Sequence, residues 1–287
     1  MIKQLLKLIR VKQWYKNLLV FLPLFFSGIV FDVNLIPFLL AFFSLSFISS
    51  SYYILNDLKD LKQDRIHPEK KKRPLAAGFF SKTFAVSLFF ILFFVGFFLA
   101  FNLGSFFFFA AGLFVFTLLY IFYLKKIAFL DIISISINFL IRTIAGAFVG
   151  AKTLSPLIEL SPWLIFCVFF LALFLTSSKR EADILFLKDK AVKHKKSFKN
   201  YSLEITSFIC VLSVTMLLTV YSLYIVFVQD LIFIITLPIA LFAIIKYYSL
   251  LKEGSIITRH PELMYKDKAL FISVVLWFFV VLVLLYL

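Results

Sequence analysis

In the stretch "NDLKDLKQDRIHPEKKKRP", residues 56 to 74, Asp57, Asp60 and Asp64 recur at i, i+3 and i+7, and Asn56 stands four positions before Asp60. On a continuing helix that spacing sets all four side chains on one side. Clustered carboxylates repel, so the pattern calls for a cation. Hard oxygen donors of this kind suit Mg²⁺, which takes one or two carboxylates, keeps several waters and completes its shell with substrate phosphates. Lys70, Lys71, Lys72 and Arg73 follow at once and offer donors to phosphate oxygens that a metal leaves uncovered. The spacing predicts a magnesium diphosphate site with Asn56, Asp57, Asp60 and Asp64 as ligands. The competing reading is a charged loop whose acids and bases pair with one another. A second polar cluster, "SSKREADILFLKDK", weighs against it: Lys179 and Asp183 are i, i+4 neighbours with Arg180 beside them.

The elements that carry these clusters follow from composition. Of 287 residues 63% are hydrophobic and 41 are Phe, well above the apolar share of a soluble domain, so the chain is read as an all-α polytopic membrane protein. A hydrocarbon core about 30 Å thick needs roughly 20 apolar helical residues. Nine segments qualify: 17–31, 35–55, 83–101, 104–124, 127–150, 161–178, 203–227, 231–250 and 269–287. The first cluster follows the second span and the other follows the sixth, as in a duplicated four-span unit. The expectation is one transmembrane domain over 1–287, in which loops 56–82 and 179–202 face each other across a cavity open to the cytoplasm. Residues 1–16 place Ile2, Leu5, Leu6 and Ile9 on one helical face and Lys3, Lys7 and Arg10 on the other, the pattern of an amphipathic helix at the lipid interface. No small-residue cleavage site closes the apolar run, which argues against a removed signal peptide.

Apart from Arg142 and Lys152, every Lys and Arg falls before the first span, in loops on that same side or, for Lys246, near the end of the eighth span on that side. The positive-inside rule then puts the N-terminus and the long loops in the cytoplasm of a cell inner (plasma) membrane and the C-terminus outside. The net charge of +15 is accounted for by basic loops facing anionic headgroups, and no nucleic-acid partner is expected. In the fifth span, Asp131, Asn138 and Arg142 fall on one stripe. An intramembrane Arg marks a functional site unless it snorkels to the headgroups. Tyr120 and Tyr123, just before Lys125, are placed to donate to phosphate from the fourth span. Cys167 and Cys210 read as packing residues. The three His are scattered, and there is no zinc spacing, nucleophile elbow or glycine-rich phosphate loop.

The segment "NDLKDLKQD" resembles the NDxxDxxxD signature of the UbiA superfamily of intramembrane prenyltransferases. The segments "KQWYKNLLVFLPL", "HPEKKKRPLAAG", "YLKK", "LIRTIAG", "KREAD" and "PELMYKD" are similar, in order, to the decaprenyl-phosphate phosphoribosyltransferase branch. That resemblance implies nine helices around a central cavity, with a lateral route for a polyprenyl chain. It implies transfer of a 5-phosphoribosyl group from phosphoribosyl pyrophosphate to a polyprenyl phosphate, with Mg²⁺ at Asn56, Asp57, Asp60 and Asp64. Asp57, Asp60, Asp64 and Asp183 would be catalytic. Lys16, Asn17, Lys72, Arg73, Tyr120, Lys125, Arg142, Lys179 and Arg180 would bind substrate. Two departures stand out: Arg10 precedes Val11 where the branch commonly has Arg-Pro, and Asp183 stands where Glu is expected. The second cluster is also more basic than the aspartate-rich second motif of other members, which favours direct grip on an anionic substrate. The nearest rival is an aromatic prenyltransferase using a polyprenyl diphosphate donor. A transporter would carry its coupling residues near the midplane, and a scaffold would need no acidic cluster beside a basic one.

Overall fold

Long apolar runs in lipid must satisfy their backbone groups within the segment, and helix dominates accordingly. The computed structural model describes residues 1–66, 69–149, 158, 160–187 and 201–287. The helices are α1 (Ile2–Leu8), α2 (Leu22–Phe26), α3 (Ile36–Lys59), α4 (Leu61–Ile66), α5 (Lys82–Phe101), α6 (Phe106–Phe122), α7 (Leu130–Ala147), α8 (Pro162–Leu187), α9 (Leu203–Val228), α10 (Thr236–Lys252), α11 (Ile256–Arg259) and α12 (Lys268–Tyr286). Among the described residues eight helices are long and apolar enough to cross a bilayer: α3, α5 to α10 and α12, with α6 and α10 extended by 3₁₀ turns at Leu124–Lys126 and Leu231–Ile235.

The expected first span, 17–31, takes another form. Val11–Phe21 is a 3₁₀ helix and only Leu22–Phe26 is α-helical, with Pro23 in its first turn. A 3₁₀ helix rises about 2.0 Å per residue against 1.5 Å for an α-helix, so the two pieces together measure about 30 Å along their axes. The N-terminal amphipathic helix is likewise shorter than expected, ending at Leu8. Arg10 follows in the left-handed region at φ 53°, ψ 47°, a conformation that costs a non-glycine residue about 1 to 3 kcal/mol.

The chain divides into two compact units, Met1–Tyr123 with Ile141–Leu160, and Leu124–Leu140 with Ser161–Leu287. Helix α7 gives its first half to the second unit and its second half to the first. In the first unit α3 is the central element, and small residues set its spacing. The Ser44 hydroxyl donates to the Gly96 carbonyl of α5 at 2.8 Å, and a methyl group at Gly96 would lie 2.7 Å from the Ile48 side chain. Close backbone approach through small residues is how membrane helices gain packing without a hydrophobic drive between them. Gly146 does the same for the 3₁₀ segment, since a Cβ there would meet the Val20 carbonyl oxygen at 2.1 Å. In the second unit Phe174 and Ala182 of α8 pack with Cys210, Tyr247, Leu250, Leu251, Ile257 and Leu270.

Candidate active site

The first cluster begins with the N-terminal arm. Ser50 of α3 donates to the Ile9 carbonyl at 2.6 Å and accepts from the Trp14 indole N–H at 3.0 Å. These two bonds pin the chain on either side of Arg10. From there its guanidinium lies 4.6 Å from the centre of the Tyr53 ring and pairs with Asp57, one further turn along the same helix. Arg73 reaches the same carboxylate from the loop before α5. Its Nη1 is 3.0 Å from Asp57 Oδ1 and 2.7 Å from Asp64 Oδ2. Both carboxylates are buried. Burial pushes the Asp64 carboxyl above its ordinary range, with the charges of Arg73 and Lys70 opposing the rise.

The expected single helical face is interrupted at Asp60, which caps α3 instead of continuing it. Helical hydrogen bonding nonetheless runs through the break, because Asp60 N–H donates to the Asn56 carbonyl and Asp64 N–H to the Asp60 carbonyl, both at 2.9 Å. That continuity keeps Asp57 and Asp64 within reach of one guanidinium. Among the described residues no three His, Cys, Asp or Glu side chains gather as a ready-made metal cage. The donors are all oxygens of the kind Mg²⁺ takes, and a single cationic group already spans two of the carboxylates. The donor chemistry therefore fits the ion, and the Arg73 guanidinium lies between Asp57 and Asp64.

Arg142 is buried and turns inward, so the snorkelling alternative does not hold. Its Nε donates to Asn17 Oδ1 at 3.0 Å and its Nη2 to the Tyr52 hydroxyl at 2.6 Å. The Asn17 amide donates to Ser46 at 3.1 Å, and Tyr52 donates to Ser49 at 2.9 Å. Asn17 and Arg142, both expected at the site, thus meet in a buried polar knot on α3. Asp131 and Asn138 share the Arg142 stripe and are buried too, but Asp131 serves the other cluster.

In the second cluster each charged residue of "READ" is met by a different element. Arg180 Nε donates to Asp131 Oδ2 on α7 at 3.0 Å. Glu181 accepts from Lys252 of α10 at 2.5 Å. Asp183 lies between two arginines: Arg180 Nη1 is 3.5 Å from its Oδ2, and Nε of Arg259, at the end of α11, is 3.3 Å from its Oδ1. The Arg259 guanidinium also lies 3.8 Å from the centre of the Phe186 ring, which fixes its plane. Tyr201 donates to Asp131 Oδ1 at 2.6 Å and accepts from the Phe129 N–H at 2.9 Å. Burial, reinforced by the bond to the Asp131 carboxylate, pushes the Tyr201 phenol well up and keeps it a neutral donor.

The remaining expected residues have varied settings. Lys72 and Lys179 are exposed, Lys16 sits 5.9 Å from the centre of the Tyr15 ring, Lys125 lies half-buried in the turn before α7, and Tyr120 packs against the apolar core of the first unit. Lys152, expected outside, falls beyond the described residues, as do residues 188–200 of loop 179–202. Among the residues of the clusters not anticipated as site residues are Arg10, Tyr52, Asp131, Glu181, Tyr201, Lys252 and Arg259. Arg10 was hidden in the amphipathic pattern of the N-terminal arm. Arg259 had one available signal, its position just before the "PELMYKD" segment.

Fold and site together define a multi-pass α-helical membrane protein with an acidic and a basic cluster at the ends of its helices. The chain belongs to the UbiA prenyltransferase family, whose profile matches residues 18–263. A decaprenyl-phosphate phosphoribosyltransferase of Mycolicibacterium smegmatis is 34% identical over 236 residues, 78% of this chain and 70% of that one. One of Mycobacterium tuberculosis is 30% identical over 230 residues, covering 76% and 72%. Among solved structures, a UbiA homologue of Archaeoglobus fulgidus bound to DMAPP and Mg²⁺ has the same fold, with a TM-score of 0.69 at 17% identity over 92% of this chain and 98% of that one. A digeranylgeranylglyceryl phosphate synthase aligns at a TM-score of 0.67 and 20% identity, over 99% and 98%.

Proposed function

We propose that this protein is a Mg²⁺-dependent transferase that moves a 5-phosphoribosyl group from phosphoribosyl pyrophosphate to a polyprenyl phosphate, releasing pyrophosphate. The observation that carries the reading is the second cluster. It sets two arginines on either side of the Asp183 carboxylate, an arrangement suited to an anionic substrate, in a chain whose relatives at 30 to 34% identity bear the phosphoribosyltransferase name.

In this reading Asn56, Asp57, Asp60 and Asp64 hold Mg²⁺, which when bound supplies positive charge against the leaving pyrophosphate. Arg10 and Arg73 pair with Asp57, Arg73 also pairs with Asp64, and both guanidiniums stand ready to meet phosphate oxygens. The acceptor phosphate is already an anion, so no strong base is required. Arg180 and Lys179 grip an anionic substrate and Asp183 orients the grip, while Lys16, Lys72, Lys125 and Tyr120 add donors at the rim. Asn17 and Arg142 shape the polar floor on α3. Phe-lined helix surfaces shelter the isoprenoid and exclude water from the anomeric centre. The protein lies in the inner membrane with its N-terminus cytoplasmic, its C-terminus outside and residues 1–16 at the interface. Cysteines introduced at Lys71 then react with impermeant reagents from the cytoplasmic side alone.

The test supplies purified protein and Mg²⁺ with phosphoribosyl pyrophosphate and a polyprenyl phosphate, and in parallel with a polyprenyl diphosphate and an aromatic acid. Product from the first pair alone is expected. Product from the second pair alone would replace this reading with aromatic prenyl transfer.

A further inference from the structure

We infer that Arg259, at the end of α11, is a second anion-binding arginine that works with Arg180, and that the Asp183 carboxylate occupies the anion's place until substrate arrives. The inference rests on the phosphoribosyl reading only for the name of the anion, since the geometry concerns any phosphate group. Exposure rises through the cluster, with side chains at 0% for Asp131, 10% for Arg180, 12% for Arg259 and 18% for Asp183. Of these four, the carboxylate that joins the two arginines is therefore the nearest to solvent. An entering phosphate meets that position first and offers the same two guanidiniums a larger charge and more acceptor oxygens. Asp131, fixed by Tyr201, holds Arg180 from beneath, and the Phe186 ring holds Arg259. Both forks thus keep their orientation when Asp183 is displaced. A purely structural salt bridge would need neither support, and each guanidinium fork matches phosphate geometry.

The test is equilibrium binding of pyrophosphate to the full-length protein in detergent, with EDTA present so that no metal-dependent site contributes. Arg259→Ala should weaken binding by at least about 30-fold, the lower end of what losing one partner of a buried charge-assisted contact costs. Arg259→Lys should recover part of the loss, because it keeps the charge without the fork, and it serves as the folded control if the alanine variant is unstable. Asp183→Asn should tighten pyrophosphate several-fold, since the competing carboxylate is gone, while turnover falls. Unchanged affinity in both Arg259 variants, or weaker binding in Asp183→Asn, overturns the inference. These outcomes are independent of the substrate pair. If the enzyme proves to use a prenyl diphosphate, Arg259→Ala must still weaken pyrophosphate. If phosphoribosyl transfer is found and both Arg259 variants bind normally, this inference alone falls.

Discussion

Both polar clusters alternate two arginines with two aspartates, Arg10–Asp57–Arg73–Asp64 in the first unit and Asp131–Arg180–Asp183–Arg259 in the second, and they differ in which inner group lies nearer solvent: the arginine, Arg73, in the first and the carboxylate, Asp183, in the second. In the first unit one guanidinium, Arg73, bridges two buried carboxylates, Asp57 and Asp64. In the second unit one carboxylate, Asp183, bridges two guanidiniums, Arg180 and Arg259. Ion pairs taken out of water lose much of their Coulombic gain to desolvation, so neither arrangement is explained by stability. What differs is the bridging group that can be exchanged. Replacing Arg73 between two carboxylates asks for a cation of higher charge, and replacing Asp183 between two arginines asks for an anion of higher charge. The proposed reaction, with a metal-bound diphosphate and a lipid phosphate, would use one site of each kind.

The comparison breaks most visibly at Asp57. Asp57→Asn should lower turnover by about 100-fold or more, because removing one preorganised electrostatic contact to developing charge costs about 10² to 10³ in rate, and membrane insertion and helix content should stay intact. Near-normal kinetics would remove the carboxylates from the reaction. Arg180→Ala comes next, with a loss of one to a few orders of magnitude in kcat/KM for the anionic substrates; a variant with unaltered kinetics would make the second cluster structural. Asp183→Asn should lose less, and raising Mg²⁺ should not restore it, whereas recovery with Mg²⁺ would make Asp183 a metal ligand and erase the contrast. Arg73→Ala tests the exchange itself. Its metal-free form should unfold at a lower temperature than the parent, and Mg²⁺ should raise its melting point by more than it raises the parent's. Equal shifts would mean that the arginine and the ion do not share a place.

The smallest effect concerns pH. Burial raises the Asp64 pKa, so between its unfolded and folded values the native state binds the proton more tightly. The stability contribution is therefore present at low pH and is lost as pH rises through the folded value. In the metal-free parent, acidification from neutrality through that value should stabilise slightly, and Asp64→Asn should flatten this part of the profile. An equal slope in parent and variant would assign the effect elsewhere.

Much of this was legible from spacing. The Asn56 to Asp64 repeat marked the acidic site because helical geometry holds residues seven apart on one side, and the backbone keeps that register through the break at Asp60. Eight of nine expected spans have helical counterparts because length and apolarity decide them. Local pattern did not show where the chain departs from an ideal helix. The left-handed turn at Arg10 and the 3₁₀ form of Val11–Phe21 depend on how Ser50 and Gly146 receive the arm, and such contacts are set by tertiary packing. The Asp131, Asn138 and Arg142 stripe was real as a buried face, yet periodicity cannot reveal that its two ends serve different clusters. Arg259 meets Asp183 from 76 positions away, a separation over which spacing carries no information.

The contrast between a cation site and an anion site is tested most directly by crossing two ligands with two variants. Mg²⁺ binding, and pyrophosphate binding in EDTA, are measured by calorimetry on the parent, Asp57→Asn and Arg180→Ala proteins. The account predicts that Asp57→Asn abolishes Mg²⁺ binding and leaves metal-free pyrophosphate affinity nearly unchanged, while Arg180→Ala weakens pyrophosphate and leaves Mg²⁺ binding intact. Loss of both ligands in either variant, or the reverse assignment, would contradict it.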